Sequence, residues 1–250
     1  MRLKKVLILL ITFLFLMVGI IIVVLVKKID LKLNEKPITF ESRIKNIKEY
    51  KVGANEILGW IQVEGTNIDY PVTHSKYIAD ATPEEDLNHT WESGIFVEGE
   101  NRRVIFGHNL QNVSSKPKIA DPNHARFEQL MSYVDYKFAS NHQYMQFTID
   151  GHDDVYKIFA VGFYYIYQET GTSYDKEKMK SYIYKTRLNS IYDYDIDVNE
   201  NDEVISLITC TRYFGIDGPT QFRVDARKIR ENEKLEKYRV EKNENYDIIK

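Results

Sequence analysis

Residues 204–215 read VISLITCTRYFG. Aliphatic and β-branched residues run from Val204 to Thr209 and end on Cys210, where an apolar strand gives way to a polar turn. Cys210 is the only cysteine among 250 residues. A lone thiol in that setting has two readings. One is a small buried hydrophobe. The other is a nucleophile at the mouth of a rigid sheet, where a neighbouring base or cation can make it a thiolate. The rest of the chain decides between them.

Outward from Cys210, the next strand is TQFRVDARKI, residues 220–229. A hairpin of this length returns Arg223 beside the cysteine, where a cation or donor can stabilise the oxyanion formed when a thiolate attacks a carbonyl. Asp225 shares the face of Arg223 by the period of two, so it is either an ion-pair partner or a decoy. Arg212 is nearer in sequence but sits in the turn, where an arginine is usually solvated. Upstream, RRVIFGH at 102–108 places His108 as the other strand places Cys210: an apolar strand, then a polar loop. The five remaining histidines, His74, His89, His124, His142 and His152, lie in polar turns or loops and read as solvated. Two reactive side chains at two strand ends are what an active site on a rigid sheet looks like; the alternative for His108 is a strand-end histidine that merely caps the ladder.

The pattern of the chain is mainly β. ILGWIQV and IDYPV flank the turn composition EGTN, and SGIFVEG precedes RRVIFGH. QYMQFTI and DVYKIFAVGFYYIY form a hairpin around DGHD. With the two strands around Cys210 and Arg223 that makes about eight short strands, and this spacing predicts a closed or nearly closed β-barrel with peripheral helices. ITFESRIKNIKEY sets Phe40, Ile44, Ile47 and Tyr50 on one helical stripe. ARFEQLMSYV predicts a short helix, and residues 175–191 a longer one with Met179, Ile183 or Tyr182, Thr186 and Ser190 along one side. The segment 109–126 is loop-like, and the charged tail from Arg230 reads as a solvated extension.

Val6 to Val26 contain no charge and one hydroxyl. At ~1.5 Å per residue they reach about 30 Å, the thickness of a bilayer's hydrocarbon core. Lys27 and Lys28 follow directly, without a small-residue cleavage site, so the run reads as an uncleaved single-pass anchor and not as a signal peptide. The predicted organisation is a stub and anchor over 1–28, a stalk over 29–39, a catalytic domain over 40–229 and a charged extension over 230–250. Net charge is −3, with no clustered basic stripe, which argues against a nucleic-acid surface. A single cysteine permits neither an internal disulfide nor a cysteine-based zinc site, and no metal or cofactor is expected.

LITC followed by an arginine on the next strand, with GHN about a hundred residues earlier, resembles the sortases, cysteine transpeptidases of Gram-positive cell surfaces. The resemblance covers residues 40 to 229 and includes GWIQVEGTNIDYPV, SGIFVEG and VIFGHNLQN. A helix before the barrel and another between its sixth and seventh strands, here 40–50 and 175–191, are similar to the class B group. The resemblance implies an eight-stranded sortase barrel with Cys210 as nucleophile, His108 as the group that protonates the leaving amine, Arg223 as oxyanion donor and Thr209 bordering the site. It implies a peptide groove with Tyr167 on the wall before the inserted helix and Val72 on the opposite wall. It also implies a cytoplasmic N-terminus and a catalytic domain outside the cell membrane. Expected partners are surface proteins with a C-terminal sorting motif of the LPXTG or NPQTN kind, and a peptidoglycan precursor or crossbridge amine. Two alternatives use the same fold: a pilin polymerase whose amine is a lysine, and an inactive membrane-tethered binding barrel.

Overall fold

The computed structural model describes residues 13–23, 38–49, 57–73, 94–97, 99, 101–165 and 173–246. The chain divides into two compact units, Met1–Thr39 and Phe40–Lys250. In the first, residues 13–23 are helical. The remainder of the expected span lies outside the described residues, and among those described no helix is long and apolar enough to cross a membrane.

The second unit is mainly β. In chain order its strands are β1 (Ile57–Val63), β2 (Asp69–Thr73), β3 (Gly94–Val97), β4 (Arg102–Gly107), β5 (Tyr144–Ile149), β6 (His152–Tyr164), β7 (Tyr192–Tyr194), β8 (Val204–Cys210), β9 (Gln221–Lys228) and β10 (Val240–Lys242). The barrel runs β1-β2-β3-β4-β8-β9-β6-β5 and is closed by pairing of β5 with β1. Two of its junctions are parallel, β2 with β3 and β4 with β8. The hairpin expected at DGHD is present: Ile149 pairs with His152 across a two-residue loop. Asp150 and Gly151 there have φ of 52° and 78°. Positive φ at both positions is the type I′ geometry, whose twist matches that of paired strands.

Among the described residues three α-helices flank the barrel: α1 (Ile44–Glu49), α2 (Tyr136–Asn141) and α3 (Lys176–Leu188). The α1 helix is shorter than the expected stripe and buries no residue fully, because it rests on the barrel only through half-buried side chains. ARFEQLMSYV forms a 3-10 helix over Glu128–Val134, followed directly by α2. The α3 helix starts at Asp175, whose carboxylate accepts the Lys178 N–H at 2.8 Å, satisfying one of the orphan amides of the first turn. Its buried face is Met179, Tyr182, Ile183 and Thr186, matching the predicted stripe. It lies between β6 and β8, the sixth and seventh barrel strands in chain order.

The tail is not the solvated extension its charge suggested. Val240–Lys242 pairs with β7 as a small second sheet. The Tyr238 N–H donates to Gln143 Oε1 at 3.0 Å, and its hydroxyl reaches the Gln143 and Ile158 carbonyls at 2.8 and 2.6 Å. Glu233 takes both terminal nitrogens of Arg227 at 2.6 Å each. Arg230 and Glu233 are ion-paired while most of the segment's other charges are exposed, and the half-buried Tyr238 supplies the anchor.

Candidate active site

The placement of the site follows from strand parity. Ile205, Leu207, Phe222, Val224 and Ala226 belong to the barrel core. Ser206, Ile208 and Cys210 alternate with them on β8 and face outward. Their partners on β9 are Asp225, Arg223 and Gln221 in that order. Directly opposed residues share a face, so Arg223 lies diagonally from Cys210 on one surface. On the other side β8 runs parallel to β4, with Val104 against Ser206, Phe106 against Ile208 and Gly107 against Thr209. His108 is the next residue after Gly107 as Cys210 is the next after Thr209. The two chains therefore leave adjacent strands at the same end and in the same register.

Three local devices hold that end. The Thr209 hydroxyl, buried at 2 % exposure, donates to the Gly107 carbonyl at 2.7 Å and clamps the two strands one residue before His108 and Cys210. A Cβ on Gly107 would sit 2.2 Å from the Phe127 ring, so only glycine lets the ring close over the base of the histidine loop. Phe127 is tied there by its own N–H, which donates to the His108 carbonyl at 3.1 Å. Third, Asn109 spans the loop. Its Nδ2 donates to the Cys210 and Asn112 carbonyls at 3.0 and 3.1 Å, and its Oδ1 accepts the Asn112 N–H at 2.9 Å.

The loop beyond is organised by two further buried polar residues. Asn112 donates to the Lys118 and Glu128 carbonyls and accepts the Lys118 N–H. The Glu128 carboxylate, 1 % exposed, accepts the N–H groups of Leu110, Gln111 and Ala125. A segment that is loop-like in composition is thus pinned from both ends, since a buried backbone amide without a partner is costly. On the far side of Cys210, residues 211–220 close on a Thr211 N–H bond to the Thr220 carbonyl at 2.8 Å. Tyr213 and Phe214 of this connection pack on Phe163 with centroids 4.9 and 4.8 Å away.

Cys210 is exposed and His108 half-buried. Although the thiol is open to solvent, the surrounding protein still pushes its pKa up through desolvation. Desolvation thus favours the neutral form of the thiol. Arg223 is only 3 % exposed. Its Nε donates to Asp225 Oδ2 at 2.8 Å and its Nη2 to the Thr186 hydroxyl at 3.0 Å. Its guanidinium carbon lies 3.7 Å from the centroid of the Tyr164 ring, a stacking worth about 2 kcal/mol when desolvated. Burial opposes the charge on Arg223, but Asp225 and the two nearby tyrosines outweigh it and hold the pKa above its ordinary value. The other carboxylate oxygen of Asp225 accepts the Tyr182 and Ser206 hydroxyls, each at 2.5 Å. Asp225 is therefore an ion-pair partner, one of the two roles its parity allowed. Arg212 is exposed, as its place in the turn predicted.

The substrate-groove expectations fare differently. Val72 has no exposed surface and packs in the core between Gly59 and Gly94. It is a barrel residue and not a groove contact, because its position on β2 turns it inward. Tyr167 lies outside the described residues. Sequence reading passed over Asn109, Asn112, Glu128, Tyr164, Tyr182 and Thr186 as parts of the site. Asn109 carried a signal, a polar amide directly after the strand-end histidine. The others looked like ordinary loop or helix-face residues.

The chain has similarities among known proteins. It is 27 % identical over 173 residues to Sortase B of Listeria monocytogenes, covering 62 % of this chain and 63 % of that protein. It is 23 % identical over 163 residues to Sortase B of Staphylococcus aureus, with the same coverage of 62 % and 63 %. The chain thus spans 63 % of the length of the curated relatives it matches. Among solved structures it superposes on Clostridium perfringens sortase B with a TM-score of 0.59 and 25 % identity, covering 75 % of this chain and 98 % of that one. No family model matches the chain.

Proposed function

We propose, starting from the class B sortase that these similarities support, that the chain is a cysteine transpeptidase that cleaves a C-terminal sorting motif and transfers the released carboxyl to an amine of the cell wall. The observation that supports the reading is the parallel register of β4 and β8, which brings the chain to His108 and to Cys210 at the same end of adjacent strands, with Arg223 paired to Ile208 on β9.

His108 takes the thiol proton as Cys210 Sγ attacks the threonine carbonyl of an LPXTG- or NPQTN-like peptide. The oxyanion of the tetrahedral intermediate is met by Arg223, a donor worth ~3–4 kcal/mol in such a role. The C–N bond breaks, the imidazolium gives its proton to the departing amine, and a thioacyl-enzyme remains. An amine from a peptidoglycan precursor or crossbridge then attacks the thioester, His108 accepts its proton, and the thiol is restored. In this reading residues 6–26 anchor the protein in the cell membrane, with the N-terminus cytoplasmic and the barrel outside.

The test is direct. The full chain is incubated with peptides of both motif kinds and triglycine, and products are identified by mass. A peptide–triglycine adduct is expected from the native protein. Cys210→Ala should give none while unfolding at the same temperature, because an exposed thiol leaves no cavity when truncated. Adduct formation by Cys210→Ala would end the cysteine mechanism.

A further inference from the structure

Arg223 has three nitrogens that can donate, and the structure commits two of them away from the thiol. Nε is bound by Asp225 and Nη2 by Thr186, while the Tyr164 ring covers one face of the plane. Asp225 lies two residues along β9 from Arg223, on the side away from Cys210, since Asp225 pairs with Ser206 and Cys210 with Gln221. Asp225 is itself fixed from α3 by the Tyr182 hydroxyl and from β8 by Ser206. Thr186 and Tyr182 are one turn apart on α3, and both are buried.

We infer that α3 is the element that aims the arginine: Thr186 and Asp225 are positioning residues that hold Nη2 and Nε, so that the remaining N–H groups of the two terminal nitrogens are presented to the oxyanion in a fixed orientation. This rests on the transpeptidase reading and deepens it by giving the inserted helix a part in turnover. The physical basis is pre-organisation. A guanidinium held by two hydrogen bonds and a stacked ring needs no reorientation when negative charge develops, whereas a mobile one would first have to be ordered. The arrangement also fixes what a lysine substitution can achieve: Arg223→Lys keeps a charge but gathers its donors on one nitrogen, without the planar fork that reaches Asp225 and Thr186 together.

The experiment is a double-mutant cycle in the full chain, assayed with one motif peptide and triglycine. Thr186→Val removes the acceptor of Nη2 and should lower kcat about tenfold with KM unchanged, the signature of an interaction realised in the transition state. Thr186→Ser retains the hydroxyl and should keep most of the turnover. In an Arg223→Lys background, Thr186→Val should cost less than about twofold, because the group it positions is gone. An equal loss in both backgrounds, or a loss carried by KM, would overturn the inference. Tyr182→Phe, which removes one of the two hydroxyls held by Asp225 Oδ1, provides the same comparison if Thr186→Val does not fold. A readout free of turnover separates this inference from the function it rests on. The guanidinium NMR signals of Arg223 should show slow rotation in the native chain and faster rotation in Thr186→Val. Fast rotation in the native chain sinks the positioning claim. Slow rotation in a chain that never acylates Cys210 sinks the transpeptidase reading instead.

Discussion

The Asn109 side chain joins the histidine-bearing loop to the cysteine: its Nδ2 donates to the backbone carbonyl of Cys210 at 3.0 Å. The same nitrogen serves the Asn112 carbonyl, and Asn109 is 3 % exposed. Asn109→Ala should lower kcat about ten- to a hundredfold, since small misplacements of reacting groups have effects of that size. Stability should fall by about 1–3 kcal/mol from the carbonyls left unpaired. Urea unfolding and peptide turnover measured together check both, and native turnover in a folded Asn109→Ala would show that the contact is structural only.

The thiol gives a pH prediction with a definite sign. Desolvation raises the Cys210 pKa, so the thiolate fraction at neutral pH is below that of a free cysteine. Iodoacetamide labelling of the native chain should accelerate steadily up to and beyond about pH 8.5, the ordinary thiol pKa. A rate that levels off near pH 7 would mean that a cation holds the resting thiolate.

Gly107 and Phe127 give a packing prediction. Gly107→Ala drives a methyl group into the Phe127 ring, which sits 2.2 Å from where that Cβ would lie. Overpacking of this kind costs about 1–3 kcal/mol, and here it also displaces the loop that begins at His108. Gly107→Ala should unfold at lower urea, and Phe127→Leu added to it should recover part of the loss. If the pair is simply additive, the two residues do not compete for the same space.

The two arginines near Cys210 separate by burial. Arg212→Ala should change stability by no more than about 0.5 kcal/mol and leave turnover intact, because the side chain is exposed. Arg223→Lys should lower kcat strongly. Arg223→Ala should in addition cost about 3–5 kcal/mol of stability, since it strands the buried Asp225 carboxylate. A dead Arg212→Ala beside an active Arg223→Lys would reverse the assignment of the oxyanion donor.

Glu233 tests whether the tail belongs to the fold. Hydrogen bonds from Arg227 lead the causes that lower its carboxyl pKa to about 2. A carboxyl with a depressed folded pKa adds stability that is fully present above its unfolded value, about 4.3, and is lost as pH falls towards 2. The urea midpoint should therefore decline over that window. Glu233→Gln should be less stable at neutral pH and show a shallower decline. A parallel decline in both proteins would assign the acid sensitivity to other carboxylates.

What could be read from the chain alone was local. Apolar, β-branched runs in VISLITC and RRVIFGH marked two strands, and the change to polar residues after each marked Cys210 and His108 as strand-end groups. The DGHD hairpin and the buried face of α3 were legible for the same reason: a turn and a helical stripe are written within a few consecutive residues. The spacing of Arg223 and Asp225 placed both on one face of β9 but left open what Asp225 does.

Only the tertiary structure decided which strands are neighbours. Gly107 and Thr209 meet across the parallel β4–β8 junction. That pairing is non-local, and no pattern inside either strand specifies it. The same holds for the docking of α3, which turned Thr186 and Tyr182 from helix-face residues into partners of Arg223 and Asp225. It holds again for the tail, whose Glu233 and Arg230 are met by Arg227 and Asp202 and whose Tyr238 N–H is met by Gln143. Periodicity tells which way a side chain points from its own element. What it points at depends on contacts between segments far apart in sequence, and those exist only once the barrel has closed.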